Sequence, residues 1–386
     1  MTIARTLWCA APAGLIALGS LGACQARPSA APAQVSLKDG YKDAFLVGGT
    51  LNANQFSRRD TAGAALTIRE FNAISPENIL KWESVHPRPG EYAFAGPDQY
   101  VAFGEANRMF VVGHTLVWHN QTPAWVFRDA AGQPASRDTL VARLRDHIHT
   151  VVGRYRGRIK GWDVVNEALN EDGTLRQTPW LRIIGEEYLA MAFRFAREAD
   201  PAVELYYNDY SLENPAKRAG AVALVRKLQQ QGVPIHGVGL QGHHKMNWPT
   251  FAAEDSTIQA FADLGLKVMI TELDIDVLPQ ATQNRTADVT LNVQAQASTY
   301  DPFRAGLPDS VQQALARRYA GFFAVYLKHR EAITRVTFWG IADGDSWLND
   351  WPMRGRTNHP LLFDRSHRPK PAYDAVIRAL RPALTP

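Results

Sequence analysis

Two glutamates close apolar runs in this chain. "GWDVVNEALN" (161–170) passes from Trp162, Val164 and Val165 into Asn166 and Glu167, and "LKVMITELDID" (266–276) passes from Val268, Met269 and Ile270 into Glu272. Glutamate is among the residues least often fully buried unless paired. A strand that ends in one therefore carries an ion pair or a working carboxyl group. Asp274 follows Glu272 by two residues, so on a strand both acids lean to the same side. Other apolar runs end in the same way. "FVVGHTLVWHNQ" (110–121) carries His114, Trp118, His119 and Gln121, and "ELYYNDY" (204–210) carries Asn208, Asp209 and Tyr210. "GVGLQGHH" (237–244) carries Gln241, His243 and His244, and "RVTFWG" (335–340) carries Trp339.

Two carboxyl groups among amides and indoles suit cleavage of a glycosidic bond. One acid protonates the leaving oxygen while the other attacks the sugar or activates water. Amides reach sugar hydroxyls, and flat indoles cover the apolar faces of pyranose rings. For one glutamate alone a structural ion pair is the simpler reading, but two at the ends of separate apolar runs weaken it. A metal site would use the same residue types. However, His114 and His119 stand five apart and His243 and His244 are adjacent, so on strands each pair splits between faces. No His-x-x-x-His helix pattern occurs, and neither metal nor cofactor is expected in the chemistry. A serine hydrolase is disfavoured too, because no Gly-x-Ser-x-Gly occurs.

Elements of one repeating kind must position these residues. Short apolar runs at 45–51, 79–83, 110–117, 159–166, 203–208, 236–241, 267–272 and 335–341 read as buried parallel strands. Stretches of helical period separate them at 61–71, 97–108, 137–153, 187–199, 217–231, 257–264 and 309–330, and 371–380 closes the chain. The pattern is clearest in "DTLVARLRDHIHTVVGRY", with Leu140, Leu144, Ile148 and Val151 on one stripe. The expected fold class is α/β, a single-domain (β/α)8 TIM barrel, whose strand C-termini form the active face. A doubly wound open sheet is the alternative, but no Gly-rich phosphate fingerprint opens a helix. The segment 278–306, rich in Gln, Asn and Thr, reads as a mobile surface loop, with a working lid as the rival reading.

The first 24 residues stand apart. They contain Arg5, an apolar stretch from Leu7 to Leu21 and no acid, as a secretory signal does. Pro12 and several Gly and Ala residues shorten the apolar core below the roughly 20 residues a membrane span needs. Leu21-Gly22-Ala23-Cys24 resembles a bacterial lipobox, which implies lipidation at Cys24, and Gln25 after it favours the outer membrane. A plain signal cut near Ala26, giving a periplasmic or secreted protein, is the alternative. The Pro/Ala-rich stretch 25–37 reads as a tether, leaving 38–386 as the catalytic barrel. Both cysteines, Cys9 and Cys24, fall in the leader, so disulfide and thiolate chemistry is excluded from the body. Removing Arg5 with the leader lowers the net charge from +4 to +3 with no basic run, so nucleic acid is not an expected partner. A membrane contact is expected only through Cys24.

The motifs resemble those of family 10 glycoside hydrolases, the retaining endo-β-1,4-xylanases. "LKVMITELDI" is similar to that family's nucleophile signature, "SPENILKWESVHP" to its strand 2 motif and "GHTLVWHNQTPAW" to strand 3. "WDVVNEA", "YYNDY", "GLQGHH" and "VTFWGIADGDSWL" follow in the order of strands 4, 5, 6 and 8. The resemblance implies Glu272 as nucleophile and Glu167 as acid/base, with His243 and Asp274 orienting the nucleophile. It implies that Asn166 faces the sugar 2-hydroxyl and that Glu77, Asn78, Lys81, His114, Trp118 and Gln121 line the glycone subsites. Trp339 and Trp347 would form a platform, with Asn208, Tyr210 and Gln241 nearer the cleavage point. His119, facing away from His114, would only support its strand, and Asp163 and Asp209 read as supporting residues. The implied partners are xylan and xylo-oligosaccharides, acted on by a monomer. A cellulase or mixed β-1,4-glycanase on the same fold is one alternative. A non-catalytic surface glycan-binding lipoprotein is another, though binding alone needs neither glutamate.

Overall fold

The computed structural model describes residues 35–280 and 297–380. The expected signal segment with Cys24, the expected tether up to residue 34 and most of the 278–306 stretch lie outside the described residues. Nine parallel strands are present: β1 Leu46–Leu51, β2 Ala73–Pro76, β3 Phe110–Val117, β4 Gly161–Asn166, β5 Glu204–Asp209, β6 Gly237–Leu240, β7 His243–Lys245, β8 Lys267–Asp276 and β9 Ile333–Phe338. β1 pairs with β2 on one side and β9 on the other, and β6 pairs with β8, so eight of them close a barrel. β7 is a three-residue strand that pairs only with the far end of β8, setting His243 opposite Asp274.

Helices follow the strands around this (β/α)8 barrel and bury their apolar stripes on it. The helix Arg137–Arg154 buries Leu140, Leu144, Ile148 and Val151, the stripe read from the sequence. It starts where Ser136 Oγ accepts from Thr139 N, satisfying a donor that the first turn leaves open. Pro215 and Pro371 open two further helices, where a missing N–H costs nothing. On the outer face of the barrel, Gly113 on β3 lets the Trp162 indole of β4 cross its backbone, because a Cβ there would overlap the ring.

Several boundaries differ from the sequence reading, three of them instructively. The second strand is Ala73–Pro76, while 79–83 is a turn leading into the short helix Trp82–Val85. Leu80 and Trp82 are buried as loop residues, and burial of a loop mimics the apolar run of a strand. The helix placed at 257–264 begins earlier, at Phe251, capped by Thr250. The tether placed at 25–37 ends sooner, since Ser36 caps the short helix Leu37–Gly40, and Leu37 is fully buried with its N–H donated to Glu70.

Candidate active site

Glu167 follows the last residue of β4 and adopts φ +57°, a region that side-chain-bearing residues seldom occupy. Such strain persists where the surroundings hold it, and here they do. Glu167 accepts from Trp118 Nε1 at 2.8 Å and from Gln241 Nε2 at 3.0 Å. Glu272 lies on β8. It accepts from Asn208 Nδ2 at 2.8 Å, and His243 Nε2 stands 3.2 Å from its other oxygen. The two carboxyl groups belong to one amide network, since Asn208 Nδ2 and Gln241 Nε2 both reach Asn166 Oδ1, at 2.9 and 3.3 Å.

Burial and charge drive the two glutamates apart in acidity. Burial pushes Glu167 up, the Asp209 charge adds to it, and Glu272 contributes less than either. The sequence reading treats Asp209 as a supporting residue, because its distance from Glu167 cannot be read from their spacing. Burial alone would raise Glu272 as well. The His243 hydrogen bond, the His114 and His243 charges and Asn208 outweigh it, so Glu272 lies below the usual carboxylate range. His243 sits between two acids, with Nδ1 3.0 Å from Asp274 Oδ1. Burial would lower its pKa, but Asp274 and then Glu272 raise it to about 10, so the ring is a cation at neutral pH. Trp347 Nε1 donates to the second Asp274 oxygen at 2.8 Å and its ring stands 4.9 Å from that of His243. A loop indole is thereby tied to the β8 acid pair.

A cavity of about 160 Å³ opens beside Glu272. Glu77, Asn78, Lys81, His114, Trp118, Gln121, Asn166, Gln241, His243, Trp339 and Trp347 line it together with Glu272, each of them singled out in the sequence. Lys81 Nζ donates to Asn78 and Gln121 at 2.9 and 2.8 Å and lies 4.9 Å from the Trp118 ring. Burial lowers its pKa, and the surrounding acids Glu272, Glu77, Glu167 and Glu83 partly restore it. His114 points inward against buried Asp163, with Nδ1 to Oδ2 at 2.9 Å, whereas His119 is not on the wall and pairs with Asn120.

Tyr210 is the residue the structure sets apart. It lines a neighbouring, larger cavity of about 830 Å³ with Asn170, Arg176 and Trp248. There its hydroxyl accepts from Arg176 at 2.7 Å and Lys217 Nζ lies 3.4 Å from its ring centre.

A family model for glycosyl hydrolase family 10 matches residues 36–379. The chain belongs to glycosyl hydrolase family 10. This family 10 hydrolase is 42% identical over 345 residues to endo-1,4-beta-xylanase A of Xylanibacter ruminicola, covering 89% of the chain and 93% of that relative. A GH10 endoxylanase structure from a sugarcane soil metagenome superposes with TM-score 0.86 at 46% identity, covering 89% of this chain and 99% of that one. An intracellular xylanase of Thermoanaerobacterium saccharolyticum, solved as a mutant complexed with xylotetraose, gives TM-score 0.77 at 36% identity, with 89% and 98% covered.

Sequence reasoning missed several partners in the family 10 site. Thr271 Oγ1 donates to Asn208 Oδ1 at 2.7 Å and so turns the Asn208 amide toward Glu272. Glu83 accepts from Gln121 at 2.9 Å, and Lys217 pairs with buried Asp209 at 3.0 Å. Thr271 directly precedes Glu272 and could have been noticed, but Gln121 and Glu83 stand 38 residues apart and Lys217 and Asp209 lie on different elements, so neither pair leaves a local pattern. Among the described residues, one group of three could hold a metal ion, Glu213, His244 and Glu254, and it lies outside this cavity.

Proposed function

We propose that the chain is a retaining endo-β-1,4-xylanase that hydrolyses internal bonds of xylan by double displacement. The observation that carries the mechanism is the split between Glu167, pushed up by burial, and Glu272, held down by His243, within one hydrogen-bonded network. Glu272 attacks the anomeric carbon while Glu167 gives its proton to the leaving glycosidic oxygen, forming a glycosyl ester and a free sugar hydroxyl. Water then attacks that carbon, Glu167 takes a proton from it, and Glu272 leaves as carboxylate. Esterification removes the Glu272 charge and with it part of the rise at Glu167. The hydrogen bonds from Gln241 and Trp118 favour the carboxylate form that the second step needs. Asn166 is assigned to the sugar 2-hydroxyl, and Trp339 and Trp347 to the apolar faces of the rings.

The substrate class is supported by the relatives named as xylanases and by the neighbour solved with xylotetraose. The test is Glu272→Ala on an aryl xylobioside with added azide, beside wild type on matched xylobioside and cellobioside. The expected product is the α-glycosyl azide, with wild type faster on the xylobioside. A β-azide would assign Glu272 as the acid/base, and faster cellobioside cleavage would overturn the substrate class. Export with lipidation at Cys24 belongs to the same proposal and rests on Leu21–Cys24 alone. Membrane fractionation of wild type and Cys24→Ser tests it, and identical partitioning of the two would refute it.

A further inference from the structure

Three ionisable side chains from three elements converge outside the cavity beside Glu272. Glu213 comes from the loop after β5, His244 from β7 and Glu254 from the helix Phe251–Ala262. They are 3%, 1% and 0% exposed, and one donor atom of each lies within 4.8 Å of the other two. No hydrogen bond of ordinary geometry reaches either ring nitrogen of His244 or either carboxylate oxygen of Glu254, although Glu213 and the Tyr326 hydroxyl lie close enough to Glu254 to act on its acidity. His244 Nε2 stands 3.8 Å from Glu254 Oε2, too far for a hydrogen bond, which ends near 3.2 Å. Two donors held about 2.1 Å from one tetrahedral metal ion stand roughly 3.4 Å apart. A small side-chain rotation therefore brings this pair onto a common ion. Leaving such groups buried and unpartnered is costly.

We propose that Glu213, His244 and Glu254 form a structural site for a transition-metal dication, Zn²⁺ above all. An imidazole with two carboxylates suits zinc, whereas calcium and magnesium take oxygen donors. Phe322 stacks on the His244 ring at 4.2 Å and holds its plane. The buried hydroxyl of Tyr326, on the helix Asp309–Lys328, lies beside Glu254 and stands as a fourth donor or a support for a bound water. Of the nearby cations, Lys217 is engaged by Asp209, and Arg318 Nε donates to the Lys245 carbonyl at 3.3 Å. Burial raises both glutamates and lowers His244, so without metal the three groups are held toward their neutral forms. Glu213 also lines the open cavity of about 830 Å³, which provides an access route. No carboxylate or carbonyl orients His244 Nδ1, a support whose loss costs zinc sites about 10- to 100-fold in affinity, so moderate binding is expected. A bound ion would tie β7, which also carries His243, to the β5 loop and the following helix.

The test takes the full chain stripped with chelator and titrates it with Zn²⁺ alone. One zinc per chain after desalting, a melting temperature raised by about 2 °C or more, and loss of both effects in Glu254→Gln and His244→Gln are expected. Hydrolysis by the stripped protein should be unchanged in Glu254→Gln. Equal zinc uptake by wild type and Glu254→Gln would overturn the proposal, placing the ion on surface groups such as His149 with Glu198. A Glu254→Gln protein that is stabilised without metal while zinc does nothing to wild type would also overturn it, identifying a proton-sharing pair. Should the variants fail to fold, zinc-edge X-ray absorption of the wild type decides. One imidazole with oxygen donors that persists in His149→Gln supports the site, and its loss in that variant, or oxygen donors alone, refutes it.

Discussion

Replacing His243 by Gln tests the charge arrangement around the proposed nucleophile. The imidazolium lies between Glu272 and Asp274 at 3.2 and 3.0 Å, with all three side chains buried. Its rise from 6.5 to about 10 corresponds to roughly 5 kcal/mol of preference for the charged ring in the folded state. That figure matches the roughly 3–5 kcal/mol lost when one partner leaves a buried pair. Gln keeps a hydrogen-bond donor but no charge, so Glu272 loses the His243 charge that helps to hold it down. The acid limb of kcat/KM against pH, measured on an aryl xylobioside, should therefore move up by about 1–2 pH units. Stability gives an independent readout. A folded-state pKa above the unfolded value stabilises fully below the unfolded pKa, and that contribution is lost as pH rises through the folded pKa. The gap in melting temperature between wild type and His243→Gln should be widest below about pH 6.5 and shrink toward pH 10. A gap that stays constant across that window, or an unmoved acid limb, refutes the reasoning.

Trp118→Phe removes the 2.8 Å donor to Glu167 and favours its protonated form, so the basic limb of kcat/KM should shift up by about 1 pH unit. A downward shift in that profile would contradict the assignment. Lys370 Nζ pairs with buried Asp343 and donates to the His359 and Leu361 carbonyls, closing the segment around Trp347. Lys370→Met strands that carboxylate, and denaturant unfolding should show a loss of about 3–5 kcal/mol. A change below 1 kcal/mol would mean that Asp343 is relieved in some other way.

Local pattern determined most of the architecture. Seven of the eight barrel strands could be read from short apolar runs and eight of the flanking helices from a period of 3.6, because strands are buried on both faces and helices on one. The exceptions have local causes. Ala73–Pro76 is short and carries Ser and Pro, while Ile79–Trp82 imitates a strand by being a buried loop. The same logic located Glu167 and Glu272, since an acid that closes a buried run marks the face where the barrel opens. What the residues do to one another was decided by the tertiary structure. Asp209 ranks above Glu272 in raising Glu167, and Tyr210 turns to Arg176 in the next cavity. His244, one residue after His243, joins Glu213 and Glu254 instead of the proposed nucleophile. These relations join segments tens of residues apart, and they depend on register and on where each side chain points. Periodicity records which face of an element is buried, and it carries no information about which distant group meets that face.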